Sequence, residues 1–378
     1  VKQSSKILEI AGLFLKLGTI GFGGPPVTIG MMEEEAVHKR KWVSERYFLE
    51  MLAATNIVPG PNATEMAAHL GYIRAGLPGL LAGGIGFILP GAVMSLILGI
   101  LYAEYGSIPQ VEGVFQGINP VVAAILTSAF IRLGKSAFND YKTIFIGAAS
   151  LIAALFGIEE IPIIFGSGLL AILLYSRPLN NFLPIFLGFG TIFQQKAAIT
   201  GLVKNQLVQL GLFFLKVGAL LFGSTYVLIA FIQRDVVNKY HWLSYQQMLD
   251  AVAAGQITPG PISSTATFIG YVVGGFPGAL LATLGMFVPS FLIVILTGKY
   301  LPKINKIPIV QFFLRGVTAS AIALIAYVTL SVYKASVVDI PTALLALAAL
   351  ILLIRYKVDA FWIIIGGILY GAINSYLL

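Results

Sequence analysis

Pro-Gly-Pro occurs twice in apolar surroundings, at 59–61 and 259–261, and each copy is followed by hydroxyl and amide side chains. Proline lacks an amide hydrogen, and the residue before it avoids helical angles, so two prolines around a glycine interrupt a helix. In hydrocarbon, interrupted backbone survives only where protein or a water-filled cavity surrounds it. The breaks at Gly60 and Gly260 are therefore expected inside a helical bundle, with a loop at the membrane surface as the alternative. The helices restarting at Asn62-Ala63-Thr64-Glu65 and Ser263-Ser264-Thr265 offer free N–H groups and a dipole end worth about half a positive charge each. Such a helix start binds anions. Asn56 and Gln256, just before the breaks, add amide donors.

A second pair of interruptions lies upstream, at Gly21-Phe22-Gly23-Gly24-Pro25-Pro26 and Phe222-Gly223-Ser224-Thr225. Glycines there allow close approach of backbone to a ligand or to another helix through small residues. Ser224 and Thr225 in place of Gly24 and Pro25 make the two sites chemically unequal. Lys16 and Lys216 stand at matching positions in apolar helices. Lys16 lies about 13 Å into its helix if that helix begins near residue 7, and a buried lysine of this kind faces a cavity or a partner. The two are candidates for neutralising a bound anion, with an outward-facing interfacial lysine as the alternative. Glu65 is the one acid in the first restarted segment. It is a candidate for carrying a coupling proton, or else a helix-start carboxylate or a partner of Lys16. Arg74 and Arg132 read as the ends of cytoplasmic loops.

Other chemistry finds little support. The three histidines have no metal-ligand spacing, so no metal and no cofactor are expected. There is no GxxxxGK[ST] phosphate loop, so the chain has no ATPase of its own. A membrane enzyme acting on lipid would need a clustered acid or histidine site, which is not seen. A purely structural scaffold does not explain polar residues recurring at matched positions.

The elements that position these residues are membrane helices. Of 378 residues, 58% are hydrophobic and 11% charged, whereas a soluble domain carries about a quarter charged. Apolar runs such as 77–101, 114–130, 276–297 and 309–330 approach or exceed the roughly 20 residues that span a hydrocarbon core. The net charge of +8 sits in short loops, which points to lipid headgroups and cytoplasmic loops rather than nucleic acid. The absence of cysteine removes disulfides and thiolate metal sites. No cleavable leader is expected at the N-terminus.

The chain also repeats itself. FLKLGTIGFGG at 14–24 matches FLKVGALLFGS at 214–224, Trp42 matches Trp242, Pro-Gly-Pro matches Pro-Gly-Pro, and Gly71-Tyr72 and Pro90 match Gly270-Tyr271 and Pro289. This divides the chain into a repeat over 1–175, a connector over 176–208 and a second repeat over 209–378. Basic charge alternates between loops within each half and is swapped between the halves: Arg132, Lys135 and Lys142 face only Lys334, while Glu159 and Glu160 face Arg355 and Lys357. By the positive-inside rule the halves are oppositely oriented. The expected fold is an all-α integral membrane protein, an inverted-topology repeat of two homologous halves with broken or re-entrant helices, making 10 to 13 crossings.

The ordered motifs carry a family resemblance. FGGPP, a charged stretch and Trp42, PGP, Gly71-Tyr72-Ile73-Arg74-Ala75-Gly76 and Pro90 resemble the first domain of the chromate ion transporter family. FLKVGALLFGS, Trp242-Leu243, GQITPGPISSTATFIGY and GFPGALLATLGMFVPS look like its second domain. The resemblance implies a two-domain member in a bacterial inner membrane, exporting chromate on the proton gradient and conferring chromate resistance. Sulfate, also a tetrahedral dianion, is a second expected substrate. The expected site comprises Lys16, Gly23, Gly24, Asn56, Gly60, Asn62, Thr64, Lys216, Ser224, Thr225, Gln256, Gly260, Ser263, Ser264 and Thr265, with Glu65 for the proton. The expected partners are the oxyanion, protons, the lipid bilayer and a second copy in a homodimer. An oxyanion channel or a sulfate-type uptake transporter is the alternative on the same fold.

Overall fold

The computed structural model describes residues 3–22, 24–55, 59–106, 108–176, 205–222, 224–297 and 307–377. Among them there are helices and no strands. Gly23, Asn56 and most of the connector, with its apolar run at 182–193, lie outside the described residues. The first half contains α1 (Gln3–Ile20), α2 (Pro25–Glu33) running into a π-helical turn (Glu34–Lys39), α3 (Glu45–Thr55), α4 (Asn62–Tyr105), α5 (Pro109–Ala137), α6 (Tyr141–Leu155) and α7 (Glu160–Tyr175). The second half repeats the order. It has α8 (Gln206–Gly218), α9 (Val227–Phe231) with its π turn (Ile232–Lys239), α10 (Tyr245–Ile257), α11 (Thr265–Thr297), α12 (Pro308–Ser336), α13 (Ile340–Ile354) and α14 (Ala360–Leu377).

Among the described residues, four segments are long and apolar enough to cross a membrane, namely Asn62–Tyr105, Gly113–Ala137, Ile262–Leu296 and Pro308–Ser336. Five shorter apolar helices accompany them. Their outer faces carry exposed large apolar side chains, such as Leu81, Ile85, Leu89, Leu280, Leu284 and Leu292. In a membrane this outward apolarity faces lipid, so the chain is an all-α, multi-pass membrane protein of two homologous halves.

Each 44- or 33-residue helix, α4 or α11, is two helices joined at a reversal. Ala75-Gly76 and Gly274-Gly275 leave helical geometry at matching angles, with Gly76 at φ +65° and Gly275 at φ +63°. Left-handed backbone of this kind favours glycine. The arms then lie against each other so closely that a Cβ on Gly71 would stand 2.1 Å from the Gly79 carbonyl oxygen, and one on Gly270 2.4 Å from that of Gly278. Gly83-Gly84 and Gly274-Gly275 both read from sequence as packing pairs. Gly83-Gly84 is one, a Cβ on Gly83 meeting the Ala67 carbonyl oxygen at 2.5 Å, but Gly274-Gly275 forms the reversal itself. The segment from Asn62 to the reversal is therefore a half-length helix, about 20 Å long, which returns from the Pro-Gly-Pro break to the membrane edge.

The halves are interleaved rather than side by side. α5 of the first half packs against α12, α13 and α14 of the second, while α12 packs against α6 and α7 of the first. Small residues set these contacts. Gly113 and Gly117 on α5 abut Gly367 and Gly371 on α14, where a Cβ on Gly117 would lie 2.3 Å from the Gly367 carbonyl oxygen. A Cβ on Gly316 of α12 would likewise lie 2.1 Å from the Ser167 carbonyl oxygen on α7. Paired small-xxx-small stripes let helix backbones approach where lipid gives no hydrophobic drive to associate.

Candidate functional site

Both Pro-Gly-Pro breaks are buried at Gly60-Pro61 and Pro259-Gly260-Pro261, so they are not surface loops. Each is held by the other half's upstream interruption. The Gly60 N–H donates to the Leu221 carbonyl oxygen at 2.8 Å, and the Gly260 N–H donates to that of Gly21 at 3.0 Å. This reciprocal pair satisfies the amides that the interruptions leave free of helix. It also explains why the glycines occur together: Gly60 has φ +149° and Gly260 φ +83°, and both sit where a side chain would meet neighbouring atoms.

The side chains around the two breaks differ. At the first, Glu65 is fully buried, and neither carboxylate oxygen has a hydrogen-bond partner among the described residues. Glu65 Oε1 and Ser290 Oγ, from opposite halves, lie 2.2 and 2.5 Å from the point a Cβ on Gly60 would occupy. Ser290 Oγ, Thr64 Oγ1 and, one turn on, His69 Nε2 are buried without partners as well. At the second break the equivalent network is neutral and closed. Ser95 Oγ donates to Ser264 Oγ at 3.2 Å, Ser264 and Thr258 share a hydrogen bond of 3.3 Å, and Thr258 donates to the Gly255 carbonyl at 3.0 Å. Thr265 Oγ1 donates to the Ile262 carbonyl, while Ser263 Oγ is buried and unpartnered.

The second break opens onto a cavity of about 470 Å³ between the halves. Gly24, Gln256, Thr258 and Gly260 form its inner end and Tyr226 a wall. Gln256 Nε2 is buried and faces the Tyr226 hydroxyl, so an amide donor stands beside the break. Arg132 and Lys135 from α5 and Lys357 from the α13–α14 loop line the outer end, with Asp359 beside them. No described residue forms an ion pair with these three cations, and Asp359 Oδ1 accepts from the Phe361 N–H at 2.9 Å. Cations around a low-dielectric cleft raise the local concentration of anions and their rate of entry. The cavity thus combines a cationic mouth with an uncharged, donor-bearing interior.

Not all expected residues meet here. Gly24, Gln256 and Gly260 line the cavity; Ser263, Ser264 and Thr265 lie directly behind it; Gly60, Thr64 and Glu65 belong to the first break, whose helix Asn62 opens. Ser224 Oγ accepts from the Tyr226 N–H at 3.3 Å and Thr225 is buried beside it. Lys16 and Lys216 do not line the cavity. Lys16 is 61% exposed and pairs with Glu35 on the first π turn at 3.7 Å, while Lys216 pairs with the buried Asp235 on the second. The closeness of these acids to the lysines depends on how each π turn folds back. Burial raises the Glu35 carboxyl, yet hydrogen bonds from Arg40 and Lys39 and the charges of Lys39 and Lys16 leave it below its ordinary value.

Arg132, Lys135 and Lys357 were read as loop charges, and their role at the cavity was missed. The swapped loop charge was the available signal, but only interleaving brings α5 beside a loop some 220 residues later in the chain. Arg74, by contrast, is held by Glu9 at 3.2 Å and lies over the Trp42 ring.

Residues 8–172 and 208–372 each match the model of the chromate transporter family. The chain is 36% identical to the chromate transport protein of Cupriavidus metallidurans, over 98% of this chain and 94% of that one. It is 35% identical to a probable chromate transport protein of Synechococcus elongatus, over 93% and 91% of the two chains. It is 28% identical to an uncharacterised transporter of Methanocaldococcus jannaschii, over 87% and 85%. No solved structure matches the chain.

Proposed function

The chain belongs to the chromate transporter family, and on that premise we propose that it is a secondary transporter carrying chromate, and sulfate as a second tetrahedral dianion, across the inner membrane. The observation that carries this reading is the cavity at the second break, with Arg132, Lys135 and Lys357 at its mouth and Gln256 and the Gly24 and Gly260 backbone at its end. An oxyanion is drawn in by Arg132, Lys135 and Lys357. It sheds water against Gln256, Thr258 and the helix start at Ser263, whose amides and hydroxyl take over the lost hydrogen bonds. Uptake into a closing site also favours a dianion over a halide, because several donors converge on separate oxygens.

Direction and energy come from the proton gradient in this reading, with export as the direction. Glu65 is the proton carrier. No cation pairs with it among the described residues, and an ionised carboxylate fully buried without partners is too costly to persist, so its charge state is coupled to its access to water. Access alternates between the two sides as the oppositely oriented halves rock about the interlocked breaks, an orientation that the swapped loop charges support.

Reconstituted into liposomes, the protein should show saturable chromate flux that sulfate competes with and that follows an imposed pH gradient. Phosphate and molybdate should be compared alongside. Arg132→Ala should weaken half-saturation about tenfold, ~1.4 kcal/mol, with less effect on maximal flux. Flux that rises linearly with concentration and ignores the pH gradient would establish an anion channel on this fold instead.

A further inference from the structure

The two halves carry the same arm in two different states. In the first half the arm is α2 with its π turn; in the second it is α9 with its π turn. Their closing geometry is the same: Arg40 and Tyr240 both have φ −93° and ψ −17°, and Lys41 and His241 both have φ +51°. The Trp42 N–H bonds back to Ala36 and the Trp242 N–H to Val236 in the same way. Each arm is tied to the first helix of its own half by a lysine–acid pair, Lys16 to Glu35 and Lys216 to Asp235, and the first arm also by Arg40, which reaches Glu9 at 3.0 Å.

Their docking differs. Every residue from Val227 to Gln233 is buried, and α9 packs against α12. Over 25–33 only Thr28 and Met32 are buried, and Val27 is 39% exposed in the cavity wall. The docked arm is latched by Arg234, which donates to the Ile158 and Gly157 carbonyls at 2.7 and 3.1 Å. Its guanidinium also faces Glu159 and Glu160 at 3.8 and 3.9 Å. In the first arm, Glu34 stands where Arg234 stands in the second. The loop equivalent to 157–160 is 357–360, matched by positive φ at Gly157 and Lys357; it keeps an acid, Asp359, at the position of Glu159, has Ala360 at that of Glu160, and adds Lys357, with Arg355 just before it. The arm residue is reversed in sign, and the net charge of the loop changes from negative to positive, with Asp359 offsetting part of Arg355 and Lys357. Glu34 is 54% exposed and meets Lys39 at 3.7 Å, with Arg355 and Lys357 outside any described ion pair.

We propose that the wall formed by α5 and the 355–360 loop is a docking site for the α2 arm. When the arm settles there, Glu34 meets Lys357 and Arg355, and the 470 Å³ cavity closes. The Arg234 latch opens in that state, so the two latches alternate. Gly24, at φ +78°, is the pivot at the root of the arm. Asp359 opposes Glu34 within the loop, but its Oδ1 is already taken by the Phe361 N–H. The proposal rests on the alternating-access reading and names its two gates.

The chain has no cysteine, so introduced pairs report without background. One pair, Asn238→Cys with Ile158→Cys, spans the docked arm; the equivalent pair, His38→Cys with Val358→Cys, spans the undocked one. In liposomes treated with a short bismaleimide, both pairs should cross-link, and a protein carrying all four cysteines should hold one link or the other per molecule. Each link should reduce saturable flux about tenfold or more. Glu34→Arg should lower the yield of the second link, and adding Lys357→Glu should restore it. The docking proposal is overturned if the second pair never links in protein that transports, if both links form in one molecule, or if the double charge reversal restores nothing. If both links form and flux is unchanged, alternating access itself falls.

Discussion

The two helix breaks share a backbone and differ in chemistry. Both are Pro-Gly-Pro, both are buried, and both donate an amide to the opposite half. Around the second, Ser95, Thr258 and Ser264 close a neutral network beside an open cavity. Around the first, a buried carboxyl group and three further polar groups stand without partners among the described residues. Duplication gave two equal frames, and divergence placed a pocket lined by Arg132, Lys135 and Lys357 on one and a buried acid on the other. Under the proposed proton-coupled transport that inequality has a use, since two identical breaks would bind one kind of ion twice.

If the first break is the coupling site, Glu65→Gln should have the largest effect. Flux driven by a pH gradient should fall by about two orders of magnitude or more, ~2.7 kcal/mol, while chromate binding measured at equilibrium stays within about threefold. Equal loss of both would merge the two breaks into one site. Backbone strain should separate them next. Gly60→Ala places a Cβ on Glu65 Oε1 and Ser290 Oγ and should cost roughly 2–3 kcal/mol. Gly260→Ala meets its nearest atoms, the Gly18 and Phe87 carbonyl oxygens, at 3.2 and 3.3 Å and should cost less; thermal unfolding in detergent ranks the pair. Ser264→Ala removes one neutral hydroxyl from a closed network and should cost about 1 kcal/mol, with the pH dependence of flux unchanged.

The smallest effect is expected outside both breaks. Lys16→Ala should leave chromate affinity unaltered and stability within about 1 kcal/mol, since Lys16 is exposed and its pair with Glu35 is screened. A clear loss of affinity would return Lys16 to the binding site. The acid behaves accordingly. Because the folded Glu35 carboxyl lies below its ordinary 4.5, its stabilisation is present above that value and is lost as pH falls through the lowered folded value. The first arm should therefore loosen only in distinctly acidic solution, which protease sensitivity near Lys39 and Arg40 would report.

Local chemistry in the sequence led directly to the breaks, because proline and glycine act on their own neighbours. The repeat was legible for the same reason: ordered motifs align without any knowledge of contacts. The lysines show where such reasoning stops. An intramembrane lysine requires a partner, but whether it is a ligand or an acid on a nearby turn depends on how that turn folds back. Lys16 and Lys216 found Glu35 and Asp235. Arg132 shows the opposite failure, a loop-end charge that becomes cavity lining when α13 and α14 pack onto α5. Gly275 reads like a packing glycine, yet its positive φ turns the chain; only a matching reversal at Gly76 distinguishes the two roles.

The interleaving of α5 has a consequence for how the protein is made. Its packing partners α12, α13 and α14 all belong to the second half, so the Gly113 and Gly117 stripe leaves the ribosome some 250 residues before the Gly367 and Gly371 stripe that fits it. At roughly 5–20 residues per second, the newborn first half waits on the order of ten seconds or more in the bilayer with that seam bare. A nascent chain in this condition is a natural client for insertion factors that shelter unmatched helices, and truncation anywhere before residue 367 leaves α5 without its mate.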